Sequence, residues 1–133
     1  MTVDYKKYTQ FVNAVTSKES KEYIEFNKRC FELNSDVDIQ RLLTASLGIC
    51  AEGGEFTEVV KKIVFQGKPV NEDNIFHMKR ELGDICWYLA QACKALDTDF
   101  NEIIEMNVDK LKSRYPGGEF DVHHSENRKD GDV

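Results

Sequence analysis

Four carboxylates supply the most distinctive chemistry in this sequence. Glu52 and Glu55 lie in Ala51-Glu52-Gly53-Gly54-Glu55-Phe56-Thr57-Glu58, and Glu81 and Asp84 in Glu81-Leu82-Gly83-Asp84. In a helix a spacing of three puts both members of a pair on one side, a turn apart. At about 100° per residue, Glu52 falls within ~40° of Phe56, Val59 and Ile63, which mark the stripe expected to be buried. A buried carboxylate must be paired, protonated or bound to a cation. Four of them on facing helices repel one another unless a metal stands between them. An all-oxygen donor set suits Mg²⁺, with Mn²⁺ as a substitute, because Mg²⁺ takes a few carboxylates and completes its shell with water and phosphate oxygens. The set contains no thiol and no Glu-x-x-His, which argues against zinc, copper or iron. His77, four residues before Glu81, reads as a surface or packing residue, and His123 and His124 as solvated.

A complementary face lies further along. Asn107, Lys110 and Arg114 are three and four apart, so one helix side carries an amide and two cations. That side either holds phosphate oxygens or is a solvated face pairing with Glu102, Glu105 and Asp109. Lys62 projects near Glu55 and is a further candidate for phosphate, whereas Lys61 and Lys79 read as surface charges.

Helices must position these groups. Apolar residues recur with helical spacing over about Tyr5 to Val15, Tyr23 to Leu33, Asp38 to Phe65, Ile75 to Leu96 and Phe100 to Tyr115. The breaks are Thr16-Ser17-Lys18-Glu19-Ser20, Asn34-Ser35-Asp36, Gln66-Gly67-Lys68-Pro69 and Arg114-Tyr115-Pro116-Gly117-Gly118, and Asn71-Glu72-Asp73-Asn74 reads as a capping loop. In the fourth segment Met78, Leu82, Ile85, Leu89, Cys93 and Leu96 form the apolar stripe. Glu81 lies on its flank, and Asp84 lies further round with Tyr88. Trp87, Tyr88 and several alanines widen the stripe nearly all round, which in a small domain implies oligomerisation. The rings of the N-terminal quarter are either core or the lining of a base-sized pocket. Gly48, Gly53 and Gly54 each cost about 1 kcal/mol inside a helix, so a close approach to the backbone is expected there. No strand alternation or repeat of 20 to 50 residues is found, so the fold class is all-α, a bundle of four or five helices.

The chain of 133 residues, 41% apolar and 32% charged, fits one domain, with a helical core over about 5–115 and a charged tail over about 116–133. Its 18 basic and 24 acidic residues give a net charge of -6, with no basic run. Nucleic acid and anionic membrane are therefore poor partners. Met1 to Lys7 carry charges and no apolar run, so no signal peptide is expected. No stretch is long and apolar enough for a membrane span. Cys30, Cys50, Cys86 and Cys93 lack C-x-x-C spacing and read as reduced, buried thiols of a cytoplasmic protein.

At these residues the sequence resembles the MazG-type, all-α nucleoside triphosphate pyrophosphohydrolases, whose signature is E-E-x-x-E followed by E-x-x-D. Glu52, Glu55, Glu81 and Asp84 match it, and 25 residues separate Glu55 from Glu81. The likeness extends through Val60 to Pro69, Arg80 to Tyr88, Asn107 to Leu111 and Arg114-Tyr115-Pro116, covering about 40 to 128, and is nearest to the short branch of phages and bacteria. One departure stands out: the first glutamate of the pair is Ala51 here, while Glu58 extends the row Glu52, Glu55, Glu58. The resemblance implies Mg²⁺-dependent hydrolysis of a nucleoside triphosphate to monophosphate and pyrophosphate, for pool control or house-cleaning, in a homodimer or homotetramer. A phage-encoded copy would work in the host cytoplasm. Glu52, Glu55, Glu81 and Asp84 would bind metal, and Glu55, or else Glu58, would orient the attacking water. Asn107, Lys110, Arg114 and Lys62 would hold the phosphates. A dUTP- or dCTP-specific pyrophosphatase and a non-catalytic metal- or nucleotide-binding module are the alternatives.

Overall fold

A computed structural model describes residues 3–128 of the chain. Six helices follow in order among them: α1 (Tyr5–Val15), α2 (Tyr23–Leu33), α3 (Ile39–Gln66), α4 (Glu72–Ala95), α5 (Phe100–Arg114) and α6 (Val122–Glu126). The fold is all-α, as expected. Short acidic or amide side chains set most of the helix starts by accepting from otherwise orphaned backbone N–H groups. Asp4 accepts from Lys7 N at 3.1 Å, Asp38 from Arg41 N at 3.0 Å and Asn71 from Asn74 N at 3.0 Å. Asp99 accepts from Asn101 N and Glu102 N. Because Asn71 is itself the cap, Glu72 to Asn74 are already helical and not loop. The charged tail carries one further helix, the single-turn α6, which Asp121 caps. Residues 129–133 of the expected tail lie outside the described residues.

The long helices α3 and α4 pack as an antiparallel hairpin. Gly67 ends α3 with φ 70°, where glycine carries no Cβ penalty, and Lys68 N donates to Lys62 O at 3.1 Å. The turn is fastened on its far side by Asn74 Nδ2, which donates to Pro69 O at 2.7 Å. Pairing runs in opposite directions along the two helices. Arg41 donates to Gln91, Gly48 lies against the Tyr88 ring, and Glu52 meets Glu81 and Asp84. Arg41, Ala45, Gly48, Glu52, Glu55 and Val59 thus form the α3 side of the seam. Asn74, His77, Glu81, Asp84, Tyr88, Gln91 and Ala95 form the α4 side. Both follow alternating steps of three and four, the spacing that keeps one line of side chains facing a partner helix. Ala45, Val59 and Ala95 are its buried apolar members.

This seam is not the apolar stripe that the sequence presents. Glu81 is only 5% exposed, whereas Leu82 of the stripe is 47% exposed. Glycine at position 48 is the physical reason for that rotation. A Cβ there would sit 2.2 Å from Tyr88 Cδ1, so only a bare backbone lets the ring enter and turn the 74–77–81–84–88 line inward. Gly53 and Gly54, by contrast, face open space among the described residues, so close approach holds at Gly48 alone. Gly48→Ala is expected to lower stability by up to about 2 kcal/mol. Overpacking of about 1–3 kcal/mol is offset by roughly 1 kcal/mol of helix propensity, and urea unfolding measures the balance.

Outside the hairpin the packing is thin. Among the described residues α2 adds a small contact to α3, and α5 makes at most marginal contacts with the hairpin. The rings of α1 and α2 therefore do not form a core among the described residues; Phe11, for example, is 62% exposed. The thiols depart from expectation in the same way, since Cys50 and Cys86 are exposed and Cys30 and Cys93 half-buried, all four unbridged. The surface totals 10914 Å², against roughly 7,000 Å² for a compact monomer of this length.

Candidate metal centre

The middle of the seam gathers the acidic groups. Oxygens of Glu52, Glu81 and Asp84 all lie within 4.8 Å of one another. Glu81 is the most enclosed, Glu52 is half-buried at the base of the same line, and Asp84 opens to solvent. Helical stacking produces this arrangement, because Glu81 and Asp84 stand one turn apart on α4 and Glu52 faces the gap between them from α3. A second group shares Glu81: Glu55, His77 and Glu81 also offer ligand atoms within 4.8 Å of one another. There His77 Nε2 lies 2.9 Å from Glu81 Oε1.

Electrostatics mark the first group as a place for positive charge. Burial pushes the Glu52 carboxyl above the ordinary glutamate range. The charges of Glu55 and Asp84, and a hydrogen bond in which protonated Glu52 donates to Glu81, raise it further. Crowded carboxylates either retain a proton or take up a cation in its place. Oxygen donors alone at this spacing suit a hard divalent ion, whose ligands stand about 2.0–2.1 Å from Mg²⁺. The residues present therefore fit the ion that the sequence led us to expect.

A pH experiment isolates Glu52. Its folded-state pKa is raised, so the metal-free fold gains stability at low pH and loses it as pH rises through that value. Metal-free Glu52→Gln is expected to melt above the parent at neutral pH. The gap should narrow as pH falls toward 4.5, the ordinary glutamate value. A constant gap in EDTA-treated samples across that range would show that Glu52 does not titrate in a crowded site.

The remaining candidates are distributed differently. Glu58 stands outside both groups, and Lys61 and Lys62 hold its carboxylate below the ordinary range. Lys62 Nζ reaches Glu58 at 3.0 Å. Asn107, Lys110 and Arg114 ride on α5, and this chain's own packing does not bring α5 onto the carboxylates. His77, read from the sequence as a surface or packing residue, is half-exposed and packs beside Glu81. That pairing was readable from the i, i+4 spacing to Glu81, which on a helix puts ring and carboxylate side by side.

The sequence model of a family described as the MazG nucleotide pyrophosphohydrolase domain matches residues 40–118, more than half of the chain. That span contains the whole α3–α4 seam. The chain is also similar to the Gene 37 protein of Mycobacterium phage L5, at 35% identity over 81 residues, which is 60% of this chain and 71% of that protein. No solved structure matches the chain.

Proposed function

The chain belongs to the family of MazG nucleotide pyrophosphohydrolase domains, and from that membership we propose that it hydrolyses nucleoside triphosphates to the monophosphate and pyrophosphate. The observation that carries this reading is the convergence of Glu52, Glu81 and Asp84 oxygens on one point of the seam. In it these three residues, with Glu55 at the edge, hold Mg²⁺, or Mn²⁺ in its place. A divalent ion so held supplies neutralisation of the triphosphate charge and acidifies water. Glu55, exposed beside the cluster, orients the attacking water and accepts its proton as the oxygen adds to the α-phosphorus and the α–β anhydride bond breaks. Glu58 is the second choice, because its carboxylate is already paired with Lys61 and Lys62, which stabilise its charged form.

Charge develops on the departing pyrophosphate, and cations must receive it. In our reading Asn107, Lys110 and Arg114 do so from the α5 of another copy, with Lys62 at the rim. Two observations support assembly: the exposed apolar residues of α1, α2, α4 and α5, and a surface well above that of a compact monomer. The unit is then one helical domain over 1–133, paired as a homodimer or homotetramer. Among the described residues no helix is long and apolar enough to cross a membrane. Together with the phage relative, this favours work in the cytoplasm, that of the host where a phage carries the gene, without nucleic acid as a partner.

The test is to mix the protein with Mg²⁺ and each ribo- and deoxyribonucleoside triphosphate in turn, assaying pyrophosphate and monophosphate. Stoichiometric release of both from several bases is the expected result. Turnover of dUTP or dCTP alone would mark a base-specific enzyme. No turnover at all would make the fold a binding module.

A further inference from the structure

Further along the same seam, α3 and α4 enclose a cavity of about 350 Å³ lined by Asp38, Gln40, Arg41, Thr44, Trp87 and Gln91. We propose that this cavity takes the base of the nucleotide and selects among bases. Those with a carbonyl oxygen at the edge farthest from the sugar (uracil, thymine, guanine) are favoured over those with an amino group there (cytosine, adenine), because Arg41 and Gln91 meet that edge with hydrogen-bond donors. The inference rests on the reading of Glu52, Glu81 and Asp84 as the place where the phosphates are held, and it adds which bases follow them.

Three observations carry it. The first is place: Trp87 and Gln91 lie about 4.5 and 10.5 Å along α4 from Asp84, at a helical rise of 1.5 Å per residue. A nucleotide whose α-phosphate sits at the carboxylates carries its base over that stretch, and the volume is that of a small-molecule site. The second is a stacking surface. The Trp87 ring is 55% exposed and braced edge-on against Tyr88, with centroids 4.9 Å apart and planes at 88°. Tyr88 is itself seated on the bare backbone of Gly48. Stacking tolerates any base, so discrimination falls to the polar end of the cavity. There the third observation applies. Arg41 Nε donates to Asp38 Oδ2 at 3.1 Å, and Asp38 Oδ1 accepts from Arg41 N at 3.0 Å. A terminal nitrogen of Arg41, so anchored, donates to Gln91 Oε1. A guanidinium has no acceptor, so it fixes which way the amide points. Gln91 Oε1 faces the cation, and among the described residues its Nε2 has no partner. A carbonyl at the far edge of a base accepts from that Nε2. An amino group there brings donors against donors and leaves both unpaired.

The chain has one tryptophan, so its fluorescence reports on Trp87 alone. Titrating the full chain in Mg²⁺ with dUMP, dTMP, dGMP, dCMP and dAMP in turn measures binding without turnover. Quenching is expected with all five, with a Kd about tenfold lower for dUMP, dTMP and dGMP than for dCMP and dAMP. Gln91→Glu puts an acceptor where Nε2 stood and should reverse that order. Arg41→Leu frees the amide to turn either way and should largely erase it. Far-UV circular dichroism should be unchanged in both, and a general structural loss would weaken all five nucleotides without reordering them. Equal affinities in the parent, a preference for dCMP or dAMP, an order that survives both substitutions, or no quenching at all would overturn the pocket. Triphosphate turnover is a separate readout. Hydrolysis without base order leaves the proposed activity standing, and base order without hydrolysis leaves the pocket standing alone.

Discussion

Glu81→Gln is expected to reduce triphosphate hydrolysis by at least about a hundredfold while leaving helix content intact. The amide keeps the volume of the side chain and removes its charge from the most enclosed position of the cluster. Metal-assisted charge stabilisation is worth several kcal/mol, and each 1.36 kcal/mol is a factor of ten in rate. Glu81 belongs to both ligand groups, so no neighbour replaces it. Steady-state pyrophosphate release at saturating Mg²⁺ measures the loss. A stability signature should accompany it. Without metal the variant should melt above the parent, because one of the mutually repelling charges is gone. Added Mg²⁺ should then raise the parent's melting temperature by mass action and leave the variant's unmoved. A parent-like rate would remove Glu81 from the site.

Leu82→Asp is expected to dissociate the assembly and to lower activity with it. Leu82 belongs to the α4 stripe turned away from the α3 seam, together with Leu96, and Trp87 next to it is 55% exposed. Burying a leucine contributes about 1.5–3 kcal/mol, and a symmetric interface contains the residue twice. Loss of about 4 kcal/mol weakens a dimer by roughly a thousandfold, before the cost of desolvating two carboxylates is added. Sedimentation velocity at micromolar concentration should show the parent as an oligomer and the variant as a monomer. Activity should fall in parallel if, as we propose, α5 of another copy completes the phosphate-binding face. A monomeric parent with full activity would contradict this part of the account.

The helices were readable in the sequence because each begins or ends with its own chemistry. Asp38 and Asp99 cap where periodicity starts, and Gly67 stops α3 where only a left-handed residue fits. The convergence of Glu52 with Glu81 and Asp84 was foreshadowed by the position of Glu52 among Phe56, Val59 and Ile63. What could not be read was which face of α4 would turn inward. Hydrophobic periodicity assumes that the apolar stripe meets the neighbouring helix, but α4 presents Asn74, His77, Glu81 and Asp84 to α3 and keeps Leu82 for elsewhere. The seam's register is set by Gly48 and Tyr88, a size match that no single-helix pattern contains. The same assumption placed the rings of α1 and α2 in a core that this chain alone does not build. His77 is half-exposed, as a surface residue should be, but its nearness to Glu55 as well as Glu81 depends on the second helix and was not readable from α4 alone.

The central claim is that acidic side chains from α3 and α4 meet because a divalent ion binds between them. Anomalous diffraction from crystals soaked in Mn²⁺ tests this directly. The account predicts a strong peak bounded by Glu52, Glu81 and Asp84. Anomalous maps with no peak there, from crystals of protein that turns over its substrate, would contradict it.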